Sequence, residues 1–270
     1  MIKIKYCSLR IILFFGLVTL YSCSSGLKDN QAAQEKVFEN PPAEGFDLEG
    51  SDAKAIAIAD SVMWAMGGRN FWDQTQFIRW NFFGSRTLLW DKHKQLVRIE
   101  SLKDDYKAIV NLEKPFGYVQ INDQIITQTD SVTKYLEKAR NIWINDAYWL
   151  VMPYKLKDSG VTLKYIGEGA TEKGEAAHIL EMQFKGVGKT PENKYKVWVT
   201  KNDNLVKQWS FYTNADDPEA NFTTPWENYK MHKNIMLSGY RGPDYLLTEI
   251  QVFDTLPPIY RNAFLRFETE

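Results

Sequence analysis

The chain has 270 residues, a formal charge of −1, 44% hydrophobic residues, nine tryptophans and two cysteines. That near-neutral balance excludes the basic face a nucleic-acid partner requires. The apolar fraction suffices for a sizeable core, and two cysteines are too few for a disulfide framework.

The N-terminus reads as an export signal over residues 1–22. Lys3, Lys5 and Arg10 make a basic start, and Ile11–Leu20 is an apolar run shorter than the roughly 20 residues of a permanent membrane helix. The run ends in Leu20-Tyr21-Ser22-Cys23, with a small residue directly before a cysteine. The pattern resembles a bacterial lipobox, which implies cleavage before Cys23 and acylation of that residue. The order of these parts favours this over an uncleaved anchor or a plain signal peptide. Cleavage removes three basic residues, Cys7 and no acid, so the mature charge becomes −4. Each buried methylene contributes about 0.8 kcal/mol, so two or three acyl chains at Cys23 hold a protein on its membrane.

Residues 23–50 read as the lipidated cysteine and a flexible tether. They are polar, with Pro41-Pro42 in the middle, and as a coil would reach on the order of 30 Å. Residues 51–270 read as a single β-rich domain, a size that one such domain commonly attains. Ser51 or Asp52 caps a helix to about Met66, with Ile56, Ala59, Val62, Met63 and Met66 on one stripe and Gly67-Gly68 at its end. Short alternating runs follow: Gln76–Phe83, Arg86–Trp90, Leu96–Leu102, Tyr106–Asn111, Tyr118–Ile121 and Gln124–Thr127, with polar turns between them. The period changes over Thr129–Trp149, where Val132, Tyr135, Leu136, Ala139, Ile142 and Trp143 recur by threes and fours, and Pro153 stops the helix. Strands resume around Val161–Tyr165, Ile179–Phe184, Tyr195–Thr200, Leu205–Tyr212 and Tyr245–Phe253, with a tight turn at Lys201–Asn204. The expected fold is mainly β (α+β): a curved antiparallel half-barrel around an N-terminal helix and a central helical insert.

Catalytic and cofactor motifs fail on inspection. Gly186-Val187-Gly188-Lys189-Thr190 suggests a phosphate loop, but Gln183 stands where its first glycine is needed, and Pro191-Glu192-Asn193 leads into a strand rather than a helix. His93, His178 and His232 lack metal-ligand spacing, and no serine has a nucleophile's context. Asp146, Asp158, Glu168 and Glu249 could pair for glycoside chemistry only through distant convergence. The expectation is no enzyme, no metal and no cofactor.

The segment Ile142–Gly160 concentrates large side chains: Trp143, Tyr148, Trp149, Met152 and Tyr154. They could form a lid over a cavity or a corner that plugs the sheet; aromatic stripes more often mean core, which favours the plug. Trp80, Trp90-Asp91, the run Asn145-Asp146…Tyr148-Trp149-Leu150…Met152-Pro153…Lys155-Leu156…Asp158…Gly160-Val161, and Thr190-Pro191-Glu192-Asn193…Tyr195 together resemble an uncharacterised outer-membrane lipoprotein family of Bacteroidota. That family brings no catalytic residues. In element order the chain also resembles the LolA/LolB-like group of lipoprotein-sorting proteins, which implies a half-open barrel with a hydrophobic cavity.

The leading expectation is therefore a membrane-anchored protein of the cell envelope, at the outer membrane, that binds or carries a lipid or other apolar molecule. Its candidate lining is Ile78, Trp80, Phe82, Trp90, Val97, Ile99, Trp143, Trp149, Leu163, Tyr165, Trp209 and Phe211. These are also the expected core. A second reading is a surface carbohydrate-binding lipoprotein using Trp198, Trp226 and Tyr229; it requires exposed coplanar rings. A third is a non-catalytic envelope scaffold, and no protein partner is specified by any motif.

Overall fold

A computed structural model describes residues 40–101, 103–186 and 192–267. The acylation site at Cys23, the signal and the Val187–Thr190 part of the glycine-rich turn lie outside the described residues.

Local sequence dictates most of the elements. The apolar stripe of the first helix, α1 (Ala53–Ala65), buries Ala55, Ile58, Ala59, Val62 and Met63. It ends at Gly67, whose positive φ suits a helix exit and whose missing side chain leaves room for the backbone oxygen of Asn234. After the short α2 (Arg69–Gln74) come six strands: β1 (Phe77–Phe82), β2 (Arg86–Asp91), β3 (Leu96–Ser101), β4 (Tyr106–Asn111), β5 (Gly117–Ile121) and β6 (Gln124–Ile125). Asn122 and Asp123 both take positive φ, the conformation of a tight two-residue hairpin turn. The helical period then yields α3 (Thr129–Val151), which passes into a single 3-10 turn at Met152–Lys155, where Pro153 stops the α-helix. The second half is β7 (Val161–Ala170), β8 (Ala176–Phe184), β9 (Lys194–Thr200), β10 (Val206–Tyr212), β11 (Phe222–Pro225), β12 (Glu227–His232), β13 (Ile235–Tyr240) and β14 (Leu247–Phe253).

These strands form curved antiparallel sheets that do not close. The first has the order β14-β1-β2-β3-β4-β5-β6, the second β11-β10-β9-β8-β7, and β12-β13 is a separate hairpin. Strand β14 returns from the end of the chain to pair with β1, so the first sheet joins both ends of the domain. Alternation puts Ile78, Trp80, Phe82, Val97 and Ile99 on its inner face, all 5% exposed or less. Helix α3 packs on β4, β5 and β13, and α1 packs on β7.

Residues 40–50 correct the expected tether. Phe46 is buried, the Ala43 N–H donates to the Lys157 carbonyl, and Asp47 N–H donates to Val161 O. The following cap residues also take another role. The Ser51 hydroxyl accepts from Leu163 N–H and the Asp52 carboxylate from Tyr165 N–H, so both side chains satisfy the open edge of β7 rather than the first turn of α1. An exposed sheet edge invites pairing with other chains, and this segment covers it. At the other end, Ala263–Phe267 docks on the outer face of the first sheet: Phe264 stacks on Phe77, and Arg98 donates to the Ala263 carbonyl at 2.9 Å.

Two cations, Arg86 and the buried Arg241, position α3. Asp146, fully buried on the helix, receives a bidentate pair from Arg86 of β2 at 2.5 and 2.8 Å. Burial pushes the Asp146 carboxyl up while Arg86 pulls against it, and the same bonds raise Arg86 above its ordinary value. Arg241, 1% exposed, lies 3.3 Å from the Trp226 ring and donates to the Trp149 carbonyl at 2.7 Å in the last turn of α3. A cation there also complements the helix dipole. Removing one partner of a buried ion pair costs about 3–5 kcal/mol. Arg86 retains some contact with water, so Asp146→Ala should sit near the lower bound, a loss of about 3 kcal/mol. For a domain of this size that is a melting-temperature drop of roughly 6–12 °C in a thermal unfolding scan, against which a change under about 2 °C would show the pair to be dispensable.

Candidate functional site

One flank of α3 faces the second sheet across open space. On the helix, Trp143, Ala147 and Val151 are four apart, and Asn141, Ile144, Asn145, Tyr148 and Trp149 share the adjoining surface. Opposite, pairing puts Trp209 beside Val197 and Phe211 beside Tyr195 beside Met182, so Trp209, Phe211 and Tyr195 point the same way. Phe222, Phe184 and Val161 extend that wall, and Trp90 of the first sheet closes one end. The enclosed volume is about 760 Å³, within the range of small-molecule cavities.

The wall is aromatic and its rings support one another. Tyr195 and Trp209 lie parallel at 5.1 Å, Trp149 stacks on Phe222 at 5.6 Å, and Trp90 meets Trp143 edge-on at 5.4 Å. Such pairs contribute about 0.5–1.5 kcal/mol beyond area burial, which keeps the wall in place without a filled interior. Polar groups are few: the Lys155–Asp158 ion pair, Ser159, Asn193, and the exposed Asn141 and Asn145 at the rim. The Tyr148 hydroxyl and the indole N–H groups of Trp90 and Trp143 are buried without a protein acceptor, although these rings line the cavity. Burial pushes the Tyr148 phenol well above its ordinary value and that of Tyr195 up to about 12, so both stay neutral at physiological pH.

A second, polar depression of about 470 Å³ adjoins it along α3, lined by Arg86, Lys134, Glu137, Lys138, Asn141, Ile142 and Asn145. Asn141 and Asn145 belong to both.

Of the twelve residues expected to line a cavity, Trp90, Trp143, Trp149, Trp209 and Phe211 do so. Ile78, Trp80, Phe82, Val97, Ile99 and Leu163 are instead solid core, and Tyr165 lies aside, against His178 and under the Lys54 ammonium. The Ile142–Gly160 segment divides its roles. Trp143, Tyr148 and Trp149 face the cavity, whereas Met152 and Tyr154 form the plug, with the Tyr154 hydroxyl donating to the Met66 and Met236 carbonyls. The sequence reading missed Phe184, Tyr195 and Phe222. The first two carry an available signal, since they stand at the inward phase of strands already recognised.

The rings of the carbohydrate reading form no exposed platform: Trp226 is fully buried under Arg241, the Tyr229 hydroxyl is turned inward to the Val206 carbonyl, and Trp198 is half-buried. The four candidate carboxylates are held by separate bases, Asp146 by Arg86, Asp158 by Lys155, Glu168 by Lys201 and Glu249 by Arg79. Among the described residues no group of histidines, cysteines and carboxylates could hold a metal ion, and no helix is long and apolar enough to cross a membrane.

No family profile matches the chain, and no characterised protein matches it in sequence. Solved structures do. A DUF1329 family protein from Desulfovibrio piger is similar over 78% of this chain and 98% of its own, at 15% identity and a TM-score of 0.42. A LolA superfamily protein from Nitrosomonas europaea is similar over 76% of this chain and 96% of its own, at 9% identity and a TM-score of 0.38. MucB is similar over 81% of this chain and 64% of its own, at 12% identity and a TM-score of 0.25.

Beside the cavity, the Lys92 ammonium sits 4.2 Å from the Trp72 ring and 5.7 Å from that of Trp90. Burial lowers its pKa to about 8, against the pull of Asp73. The unfolded chain holds this proton more tightly, so the lysine's contribution to stability rises as pH climbs from about 8 to 10.5. Tryptophan emission should therefore show a transition near pH 8 that Lys92→Met removes; an unchanged transition in that variant would assign it elsewhere.

Proposed function

We propose that this chain is an exported lipoprotein, acylated at Cys23, that binds or carries a hydrophobic molecule in the cleft between α3 and the five-stranded sheet, at the outer membrane of the cell envelope. The observation that carries the binding role is the open aromatic cavity itself: nine rings line a space of about 760 Å³ in which the charged lining groups pair with each other. Water in such a space gains few hydrogen bonds, and an apolar occupant removes ring surface from solvent at about 25 cal/mol per Å². Nothing in its lining offers a nucleophile beside a base, so the reading is of binding rather than conversion.

The anchor fits this role physically. With residues 40–50 docked, what remains of the expected tether is the stretch from Cys23 to Glu39. A lipid anchor at Cys23 would hold the cleft at the membrane that supplies or receives a lipid.

A fatty acid with a dansyl group at its tail should accept energy from the lining tryptophans. Saturable transfer is expected for the full chain, and Phe211→Glu, which introduces a charge into the cavity, should weaken it by roughly tenfold or more, since burying an unpaired charge costs well over 1.4 kcal/mol. Transfer that rises linearly without saturation, or that is indifferent to Phe211→Glu, would remove the binding role.

A further inference from the structure

We propose that the occupant is an anionic amphiphile, with its tail in the aromatic cavity and a phosphate- or carboxylate-bearing head in the polar depression beside it. This rests on the hydrophobic-binding reading above and adds the class of ligand.

The two spaces are continuous along one helix. Lys134, Lys138, Asn141 and Asn145 recur by threes and fours on α3, and the same surface continues through Ile144 and Tyr148 into the ring-lined cleft. Asn141 and Asn145 border both spaces. A molecule lying along the helix thus meets a polar N-terminal half and an aromatic C-terminal half, which is the division an amphiphile presents.

The sign of the head follows from the donor balance. Arg86 commits its Nε and one Nη2 hydrogen to Asp146, which leaves three of its five N–H groups for another acceptor. Lys134 makes no ion pair among the described residues, and Lys138 pairs with the exposed Asp104 at 4.0 Å while its ammonium lies 4.6 Å from the Tyr106 ring. Glu137 is the one carboxylate in the lining. With Arg86 balanced by Asp146, Lys134 and Lys138 outnumber Glu137 in the lining, and this positive balance, with the remaining Arg86 N–H groups and the Asn141 amide, matches a head rich in acceptor oxygens. The aromatic cavity alone is indifferent to such a head, because its only cation, Lys155, is held by Asp158.

The test compares two probes with one tail, hexadecyl phosphate and hexadecanol, on the full chain in an uncharged detergent, with binding read by native mass spectrometry. The phosphate should bind roughly tenfold tighter or more, as charge-assisted hydrogen bonds would give. Lys134→Glu with Lys138→Glu, both exposed and outside the core, should erase that preference while leaving hexadecanol binding unchanged. Equal affinity for the two probes, or a preference that survives the double substitution, would overturn the anionic head. Inorganic phosphate binding as tightly as hexadecyl phosphate would assign the depression to free anions instead. Uptake of neither probe would remove the hydrophobic-binding reading along with this one.

Discussion

The ion pair between Asp146 and Arg86 determines where α3 lies, and the position of α3 determines whether there is a cavity at all. A fully buried carboxylate is tolerated only with a partner in good geometry, and that partner is on β2 of the seven-stranded sheet. The helix is thereby committed to that sheet. Arg241 adds a second constraint by binding the carbonyl of Trp149 from the β13 side. The flank of α3 turned to the second sheet meets β8–β11 through the rings of Tyr148 and Trp149, and a space is left beside those contacts. The space between is the consequence of a polar constraint, not of missing apolar residues.

Rings suit the walls of such a space. Aliphatic side chains would adapt and close part of the gap, whereas indoles and phenols are stiff and here brace one another edge to face and face to face. The unpartnered donors on Trp90, Trp143 and Tyr148 are the energetic cost of that arrangement, about 1–3 kcal/mol for each. The core indoles of Trp80 and Trp226 carry the same cost, so it is not confined to the wall.

Much of the scaffold was legible in the sequence because its elements follow local rules. Strand β4 runs from Tyr106 to Asn111 as the alternation indicates, and α3 exceeds its expected end by two residues because its apolar period continues up to the stop at Pro153. Strands β11, β12 and β13 were not read from the sequence. Phe222–Pro225 has no alternation, and Glu227–His232 alternates half-buried with exposed residues that are mostly polar, so neither has a one-sided apolar pattern, whereas Ile235 and Leu237 of β13 did carry one. The short α2 lacks a full amphipathic period for the same reason. The cavity was half legible. Trp80 and Trp90 occupy the same phase of neighbouring strands, and nothing local separates a core tryptophan from a lining one. Their difference arises from the course of α3, which is fixed by Asp146 and Arg86, 60 residues apart. Trp226 misled in the opposite direction: polar neighbours suggest exposure, but a guanidinium from Arg241 covers it.

The binding role requires the space beside α3 to be a persistent cavity rather than a core that closes around it. Ala147 lines that space, and Ala147→Phe would fill part of it. A persistent cavity predicts that this variant melts within about 2 °C of the parent chain while losing saturable uptake of the dansyl fatty acid. Overpacking a closed core costs about 1–3 kcal/mol, each worth roughly 2–4 °C in a domain of this size. A melting temperature lowered by more than about 4 °C with uptake unchanged would contradict it.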